Sequence, residues 1–229
     1  MKVLVLGITG RIGKRVARLL LERGHEVVGV NRRAERVPVI WNGQPAFETL
    51  ALDALDVDVL AAAVKGTDAP FDAVVFASTP TREAPAEYLE QNRNLIAAVR
   101  GAGEASGLRI VALSGTYALS APDGRPMLEV SPPNPYFLEL ESVFAKVTAL
   151  YQTDAANLDW LLIAPAAETY PYGETTGEYR VAEGQIVVTD PASLAFKETS
   201  KISMEDVAHL VVAELEHPAH HNTLISLGY

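Results

Sequence analysis

The chain has 229 residues, of which 48% are hydrophobic and 21% charged, an ordinary composition for a globular protein with a sizeable core. The formal net charge of −10 argues against nucleic acid or an anionic membrane as the main partner. The absence of cysteine excludes disulfides, thiolate metal sites and a cysteine nucleophile, and it favours the reducing cytoplasm. Apolar runs are too short for a membrane span or a signal peptide. We therefore expect a cytoplasmic monomer or homodimer that acts on a small molecule.

Apolar runs rich in β-branched residues alternate with segments of helical period, which is the pattern of a parallel sheet with crossover helices. The predicted strands are Lys2–Leu6, Glu26–Asn31, Phe47–Leu52, Phe71–Ala77, Arg109–Ser114 and Trp160–Ala164. The predicted helices are one that ends before Gly24, then Val57–Val64, Glu87–Ala105 and Tyr136–Ala155. We therefore predict one α/β domain over residues 1–229, with a Rossmann-type doubly wound parallel sheet in its core, residues 1–165.

The remaining residues, 166–229, predict a small lobe on the substrate side of this core. Stretches rich in proline and glycine predict two long loops, Thr116–Pro135 and Pro165–Gly177. Ser203 is the predicted N-cap of a last helix, because Asp206 follows it at capping-box spacing. The other predicted elements are a hairpin of Glu178–Val181 with Gln185–Val188 that turns at Glu183–Gly184, the helix Met204–Leu215 and the strand Leu224–Leu227.

Three glycines stand where the first strand meets the first helix. Gly7 permits a tight turn, Gly10 lets the backbone approach a pyrophosphate, and Gly13 lets the helix pack closely on the strand. The free N–H groups and the positive dipole end of the helix then face the phosphates. This context of strand, turn and amphipathic helix predicts a dinucleotide site, although the same pattern also occurs in purely structural turns. The residues predicted to contact the cofactor here are Gly7, Thr9, Gly10, Arg11, Ile12 and Gly13.

The residues that follow the second strand favour NADP over NAD, with NAD as the alternative. An acidic residue there would bind the ribose hydroxyls of NAD and repel a 2′-phosphate, but the chain has Asn31. The next residues, Arg32 and Arg33, offer guanidinium groups that can clamp a phosphate, unless they are simply solvated. Asp53, after the third strand, is predicted to accept from the adenine amino group, to cap the next helix, or to do both.

At this point the chain resembles the atypical short-chain dehydrogenases/reductases, through the Gly7–Gly13 spacing, Asp53, Ser78, Ser114 and Pro165. Its carboxy-terminal third is similar to the NADH–flavin reductase group, which belongs with the NmrA-like and biliverdin reductase B-like proteins. The residues that carry this second resemblance are 158–166, 176–180, 202–208 and 214–218. The resemblance implies further cofactor contacts by Ala54, Ala77, Ser78, Thr79 and Pro165.

The chain departs from the usual catalytic pattern of short-chain dehydrogenases, a Tyr and a Lys four residues apart on the helix after the fifth strand. Counted back from Pro165, Lys146 takes the place of that Lys, but Ser142 stands four residues before it. A proton relay through tyrosine is therefore not expected. Ser114, at the carboxyl end of a strand, is the better placed catalytic candidate. Lys146 is expected to keep a contact with the nicotinamide ribose, or else to be a solvated helix residue.

Reduction of a flavin does not need that tyrosine, because solvent can supply protons to the reduced ring. The enzyme would mainly hold two planar rings in contact. The aromatic residues predicted to contact such an acceptor, whose alternative role is loop packing, are Tyr117, Tyr170, Tyr172 and Tyr179. The sequence thus predicts an NAD(P)H-dependent reductase of a free flavin, FMN or FAD, which serves as substrate and not as prosthetic group.

Two other functions remain as alternatives, whereas we do not expect a metal site. An NmrA-like regulatory protein would bind the dinucleotide without turnover, and a nucleotide-sugar epimerase or dehydratase would need the tyrosine that Ser142 replaces. His217, His220 and His221 stand at a helix end around a proline, with no nearby carboxylate in fixed register, so we expect no metal.

Overall fold

The computed structural model of the chain describes residues 1–32, 43–66, 70–103 and 107–229, and an eight-stranded sheet forms its centre. The strands are β1 (Lys2–Leu6), β2 (Glu26–Asn31), β3 (Phe47–Ala51), β4 (Ala73–Phe76), β5 (Arg109–Leu113), β6 (Asp159–Ala164), β7 (Glu168–Tyr170), β8 (Arg180–Glu183), β9 (Lys201–Ser203) and β10 (Thr223–Gly228). The helices are α1 (Gly13–Glu22), α2 (Val57–Lys65), α3 (Pro85–Ala102), α4 (Met127–Val130), α5 (Leu138–Asp154), α6 (Phe196–Thr199) and α7 (Met204–Glu216). Short 3-10 turns lie at Thr116–Ala118 and Pro135–Phe137.

The strand order of the main sheet is β3-β2-β1-β4-β5-β6-β10-β8. Its neighbouring strands run parallel except β8, which pairs antiparallel with β10. The order reverses between β1 and β4, and such a reversal opens a crevice at the carboxyl ends of the two strands. β7 and β9 form a separate parallel pair. The predicted Rossmann-type doubly wound fold is confirmed, and residues 166–229 contribute β10 and β8 to its sheet.

Each face of the sheet has its own apolar core, because side chains of a strand alternate between the faces. Leu4 and Leu6 of β1 pack into the core beneath α2, α3 and α5. Val3 and Val5 pack into the other, beneath α1 and α7. All four are at most 2% exposed. Strands buried on both faces must be almost entirely apolar, which is why the sequence predicted them well.

Most predicted element bounds are confirmed within a few residues. Gly24 follows α1 in the left-handed region, with φ of +79°, as a C′ glycine does. Ser203 caps α7, since its hydroxyl oxygen accepts from the N–H of Asp206 at 3.0 Å. The helix predicted to end at Ala105 is α3, and that residue lies outside the described part of the chain. The predicted loops contain α4 and β7, elements of four and three residues that are too short to show a periodicity.

The predicted hairpin is wrong. The chain does turn at Gly184, with φ of +62°, but β8 pairs with β10 and not with Gln185–Val188. The segment Gln185–Val188 instead passes under the loop after β5, where the N–H of Ile186 donates to the carbonyl of Ser120 at 2.9 Å. Alternating apolar residues indicate a half-buried strand, but they do not say which other strand completes it.

A buried guanidinium organises the amino-terminal edge of the sheet. Arg109, only 4% exposed, donates to both carboxylate oxygens of Asp159 at 2.7 and 2.9 Å and to Glu214 at 3.2 Å. His220 and His221 contact these same carboxylates at 2.6 and 2.8 Å. In the described residues no group of three or more His, Cys, Asp or Glu is arranged to hold a metal ion. The histidines therefore belong to an ion-pair cluster.

Asp206 in the first turn of α7 is a second buried charge, with 0% exposure. One carboxylate oxygen accepts from the N–H groups of Thr176 and Gly177, both at 2.9 Å. The other accepts from the hydroxyls of Thr176 at 2.7 Å and Tyr229 at 2.6 Å. These bonds tie the segment after β7 and the last residue of the chain to α7.

The length and apolar character of a helix decide whether it could cross a membrane. Across those parts of the chain, no helix combines the length and the apolar character that a membrane span requires.

Asp206→Asn should destabilise the fold in a pH-dependent way. Burial raises the pKa of Asp206, but the hydrogen bonds from Tyr229, Gly177 and Thr176 outweigh it and leave the pKa below its usual value. A lowered pKa in the folded state stabilises at neutral pH, and this stabilisation is lost as the pH falls through the folded value. The variant should lose about 1.5–3 kcal/mol at pH 7, the cost of a hydrogen bond to a charged group.

Urea unfolding of the parent and the variant over a pH series measures this difference. It should shrink as the pH falls below about 4, near the ordinary pKa of Asp. Asp190→Asn is the control, since Asp190 is exposed and its carboxylate accepts from the N–H of Ala192. A constant gap between parent and Asp206→Asn at every pH would contradict the assignment.

Candidate functional site

The turn between β1 and α1 is too tight for side chains at two of its glycines. Gly7 has φ of +81°, and a Cβ there would lie 2.8 Å from the backbone of Ala77 and Ser78. A Cβ on Gly13 would lie 2.3 Å from the carbonyl oxygen of Gly7. Both distances are far inside van der Waals contact, so β1, α1 and the end of β4 meet backbone to backbone. The predicted roles of Gly7 and Gly13 are therefore explained by this contact.

The same turn presents unused backbone donors. Gly10 closes it by donating its N–H to the carbonyl of Gly7 at 2.8 Å. Within the described part of the chain, the N–H groups of Arg11, Ile12 and Gly13 have no protein acceptor. No side chain caps α1, and its first turn has no acidic residue. A helix start with free donors and the positive end of the dipole is an anion site.

A cavity of about 490 Å³ opens beside this turn, along the carboxyl ends of β1, β2, β3 and β4. It lies at the reversal of strand order, where ligands bind in open α/β sheets. The predicted cofactor residues that line it are Gly7, Thr9, Gly10, Asn31, Arg32, Asp53, Ala54, Ala77, Ser78 and Thr79. The structure thus gathers residues from four separate segments of the chain around one cavity.

The start of α3 forms a wall of this cavity that the sequence analysis missed. The lining residues involved are Pro80, Thr81, Ala84, Glu87, Tyr88 and Gln91. Tyr88 also belongs to the core, since it is buried and its hydroxyl donates to the carbonyl of Leu113 at 2.6 Å. Burial raises the pKa of Tyr88, so the phenol stays protonated. The sequence feature that could have predicted this wall is the helix that follows β4, the strand next to the glycine turn.

At the rim of the cavity, Asn31 donates its side-chain N–H to the hydroxyl of Thr9, which ties the end of β2 to the glycine turn. Arg32 follows, exposed and lining the cavity. Arg33 lies outside the described residues. The end of β2 therefore has an amide and a guanidinium where NAD-specific sites have a carboxylate.

Asp53 also lines the cavity, but its proposed capping role is wrong. The N-cap of α2 is Asp56, whose carboxylate accepts from the N–H of Val59 at 3.1 Å. Asp53 accepts from the N–H of Leu55 at 3.0 Å, which makes a local turn. The two aspartates stand three residues apart, and spacing alone did not separate them.

Among the described residues, four predicted cofactor residues do not line this cavity. Arg11 is exposed, and Ile12 and Gly13 lie in the turn with their N–H groups free of protein acceptors, as described above. Pro165 follows β6, and its carbonyl accepts from the hydroxyl of Thr116 at 3.4 Å. Pro165 thus lies at the end of the strand beside β5, away from the described cavity.

Ser114 stands at the carboxyl end of β5, only 7% exposed. Its N–H donates to the carbonyl of Ile163 at 2.7 Å, whereas its buried hydroxyl has no protein partner within the described chain. Buried polar groups are almost always paired, so such an atom calls for a ligand or an ordered water.

The two positions of the missing Tyr-Lys pair lie on α5. The hydroxyl of Ser142 donates to the carbonyl of Glu139 at 3.0 Å, within its own helix. The side chain of Lys146 is exposed. Neither residue lines the cavity beside the glycine turn.

A partly buried carboxyl on α5 was also missed. Burial raises the pKa of Glu141, against a smaller lowering by Lys197. Tyr117, a predicted acceptor residue, is near it: burial, and secondly the charge of Glu141, raise the pKa of this tyrosine. The loop after β5 and α5 therefore bring an acid and a phenol together.

The three tyrosines of the carboxy-terminal segment differ in environment. Tyr172 is 92% exposed and adopts φ of +64°, a strained conformation for a residue with a Cβ. Tyr170 is 36% exposed, with its ring 6.5 Å from that of Tyr229. The hydroxyl of Tyr179 bonds to Nδ1 of His209 at 2.9 Å, and burial foremost raises its pKa to about 12. Only Tyr170 and Tyr172 offer open ring surface.

Comparisons with known proteins give the family of the chain. A profile of the family described as NAD(P)H-binding matches residues 7–218. YwnB, an uncharacterized protein of Bacillus subtilis, is 30% identical over 227 residues, 97% of this chain and 95% of that protein. The crystal structure of a putative epimerase from Bacteroides thetaiotaomicron matches with a TM-score of 0.84 at 25% identity, over 100% of this chain and 96% of that one. A putative NADH-flavin reductase from Streptococcus pneumoniae matches with a TM-score of 0.78 at 25% identity, over 100% and 99%.

The chain belongs to the NAD(P)H-binding family. It is an oxidoreductase-like member, and the resemblance to the atypical short-chain dehydrogenases and the NADH–flavin reductase group is confirmed.

The residues present fit a nicotinamide dinucleotide. The free N–H groups at the start of α1 suit a pyrophosphate, and a Cβ at Gly10 would lie 3.0 Å from the carbonyl oxygen of Gly7 and 3.5 Å from that of Ala77, so a side chain there would disturb the turn that presents these groups. The cavity suits the adenosine half, which Asp53 and Arg32 would hold. The unpaired hydroxyl of Ser114 lies two strands beyond β1, on the side expected for the nicotinamide.

Gly10→Val should bind the dinucleotide at least tenfold more weakly, because a Cβ 3.0 Å from the carbonyl oxygen of Gly7 shifts the turn that presents the free N–H groups. A loss of this size corresponds to about 1.4 kcal/mol of binding free energy. Calorimetric titration with NADP and NAD measures it, and thermal unfolding checks the fold. Gly101→Val is the matched control, since a Cβ at Gly101 in α3 meets no atom of the described residues within 4 Å. Unchanged affinity in Gly10→Val would place the dinucleotide elsewhere.

Proposed function

We propose that this protein is an NAD(P)H-dependent reductase that passes hydride to a free flavin or a similar planar acceptor. When bound, the reduced nicotinamide supplies a hydride, and a flavin can accept it at N5 and take its proton from water. The observation that carries the proposal is the combination of an intact dinucleotide site with Ser142 at the tyrosine's position, bonded to its own helix. The cytoplasm is the expected compartment, because a chain without cysteine suits it.

We assign NADP as the preferred cofactor. Arg32 lies at the rim of the cavity and is free to move toward a 2′-phosphate, because its side chain is exposed. Asn31 is held by Thr9, so the end of β2 faces the adenosine ribose without a negative charge. A planar guanidinium beside a phosphate dianion forms charge-assisted, bidentate hydrogen bonds.

Ring stacking, and not proton transfer, is the proposed contribution of the protein to catalysis. The hydroxyl of Ser142 already donates a hydrogen bond within α5, and the side chain of Lys146 is exposed to solvent. Hydride transfer between two planar rings requires that the rings be in contact and correctly oriented. Holding them in this way accelerates the reaction without a catalytic side chain. Ser114 would orient the nicotinamide end through its unpaired hydroxyl.

Tyr172 and Tyr170 are the proposed acceptor contacts. The strained backbone of Tyr172 holds an aromatic ring almost entirely in solvent, an arrangement that buries nothing and therefore does not serve the core. Exposed aromatic faces are suited to stacking on a second planar ring. Tyr117 adds a third aromatic group on the side of β5.

One assay tests the proposed function and its rivals together: consumption of NADPH and NADH with FMN, FAD, riboflavin, a quinone or biliverdin as acceptor. Oxidation with a flavin is the expected result. Tight binding of the dinucleotide without oxidation by any acceptor would favour a regulatory protein instead. An epimerase or dehydratase returns its hydride to the product, so conversion of an added nucleotide sugar without net consumption of NADPH or NADH would favour that function instead.

Arg32→Ala should weaken NADP about tenfold and NAD hardly at all. The figure is the low end for a charge-assisted hydrogen bond, since an exposed arginine is partly screened by water. Titrations of parent and variant with both dinucleotides measure the ratio. Arg18→Ala removes another exposed cation, which lies on α1 and pairs with Glu22, and should leave both affinities unchanged. Equal losses for the two dinucleotides in Arg32→Ala would count against the phosphate contact.

Ser142→Ala should change flavin reduction less than twofold, whereas Tyr172→Ala should mainly raise the KM for the flavin. General acid catalysis is worth about 10²–10⁴-fold, so loss of a proton donor would be unmistakable in kcat. Loss of stacking falls on ground and transition states alike and appears in KM. Tyr172→Phe keeps the ring and should behave like the parent. A hundredfold fall in kcat for Ser142→Ala, with the fold intact, would show that a proton relay operates.

A further inference from the structure

An ion pair joins the glycine turn to the segment that carries the exposed tyrosines. Arg15 on α1 and Glu205 in the first turn of α7 meet at 2.7 Å, and their side chains are only 10% and 12% exposed. The same guanidinium donates to the carbonyl of Arg11 at 2.8 Å. The other carboxylate oxygen of Glu205 accepts from the N–H of Gly173 at 3.2 Å. A continuous path of hydrogen bonds therefore runs from Arg11 to Gly173.

The turn end of this path is sensitive to a bound phosphate. The carbonyl of Arg11 and the N–H of Ile12 belong to one peptide unit, and that N–H has no protein acceptor in the described chain. An anion that accepts from this N–H polarises the whole unit and makes its carbonyl a stronger acceptor. The bond from Arg15 is then strengthened as the dinucleotide binds.

The other end of this path, at Gly173, lies in a tightly packed and strained segment of the chain. We call residues 170–177 the acceptor loop. Gly173 packs so closely that a Cβ there would lie 2.4 Å from the Cβ of Ser203, and the strained Tyr172 directly precedes it. Asp206 anchors the far end of the loop at Thr176 and Gly177. At the other end, Glu205 holds Gly173, the residue after Tyr172, and the hydroxyl of Ser203 donates to the carbonyl of Glu174 at 3.3 Å.

We propose that Glu205 is a positioning residue that makes the order of the acceptor loop depend on the dinucleotide. One carboxylate oxygen of Glu205 binds Arg15, which contacts the glycine turn, and the other accepts from the N–H of Gly173 in the acceptor loop. The dinucleotide therefore favours the loop conformation that presents Tyr172, and the acceptor binds best after it. Coupling of this kind is reciprocal, so a bound acceptor also tightens the dinucleotide. This inference rests on the proposed function for the identity of the acceptor, but not for the coupling itself.

Hydrogen exchange of the acceptor loop tests the coupling without any turnover. Calorimetry first establishes binding of NADP and NAD, and exchange is then followed in the parent with and without each at saturation. We expect the dinucleotide to slow exchange at residues 170–177 in the parent and not in Glu205→Gln. A glutamine has a single acceptor oxygen and directs an N–H₂ group at one of two donors. Arg15→Lys should behave likewise, because lysine keeps the charge but cannot serve Glu205 and Arg11 in the geometry of the guanidinium fork.

The matched control is Glu216→Gln. Glu216 joins the same two helices at their other ends, through Arg23 and through His25 at 2.9 Å, far from the acceptor loop. This variant should keep the protection by dinucleotide. In turnover with FMN, Glu205→Gln should raise KM about tenfold with kcat and dinucleotide affinity within twofold, as expected for a lost coupling, and Glu216→Gln should change none of these.

The outcomes separate the coupling from the proposed function. Protection that persists in Glu205→Gln, or that is missing in the parent despite bound dinucleotide, overturns the coupling. Failure of both dinucleotides to bind overturns the coupling and the proposed function alike. Protection that Glu205→Gln abolishes, in a protein that reduces no flavin, supports the coupling and counts against flavin as the acceptor.

Discussion

The contact between Gly13 and the carbonyl of Gly7 is the constraint on which the site depends. With 2.3 Å left for a Cβ, the helix can approach the strand only because no side chain intervenes. That approach fixes the angle at which α1 leaves the sheet. It thereby places the donors of the helix start over the crevice at the reversal of strand order. It also sets α1 against α7, whose first turn carries the acidic residues that hold the acceptor loop.

The sequence predicted the parallel sheet and its glycine turn because both depend on local patterns. Strands such as β1 are apolar throughout, and the turn glycines stand at fixed spacing. The pairing of β8 could not be predicted, since its partner β10 lies about forty residues away and its alternation fits several neighbours. Asp56 and Asp53 were confused for a related reason: capping depends on backbone angles that spacing does not determine.

The candidate site likewise has one part that local sequence patterns predict and another that they do not. Residues that follow strands could be placed from the sequence, because carboxyl ends of parallel strands meet at one edge. The wall formed by α3 and the partial burial of Glu141 depend on how helices pack over that edge. The link from Arg15 to Glu205 spans 190 positions of sequence, and nothing in either segment alone predicts it.

The two edges of the sheet hold opposite kinds of polar group. In the part of the chain that the structure describes, the hydroxyl of Ser114 at the carboxyl edge has no protein partner, whereas at the amino edge the terminal nitrogens of Arg109 gather its carboxylates and histidines into one network. Loops at the carboxyl edge can therefore change in length and chemistry without disturbing the cluster that anchors the opposite edge. Such a division allows a lineage to explore new substrates while its scaffold drifts slowly. It accounts for the close superposition of this chain, at 25% identity, on proteins named for an epimerase and for a flavin reductase.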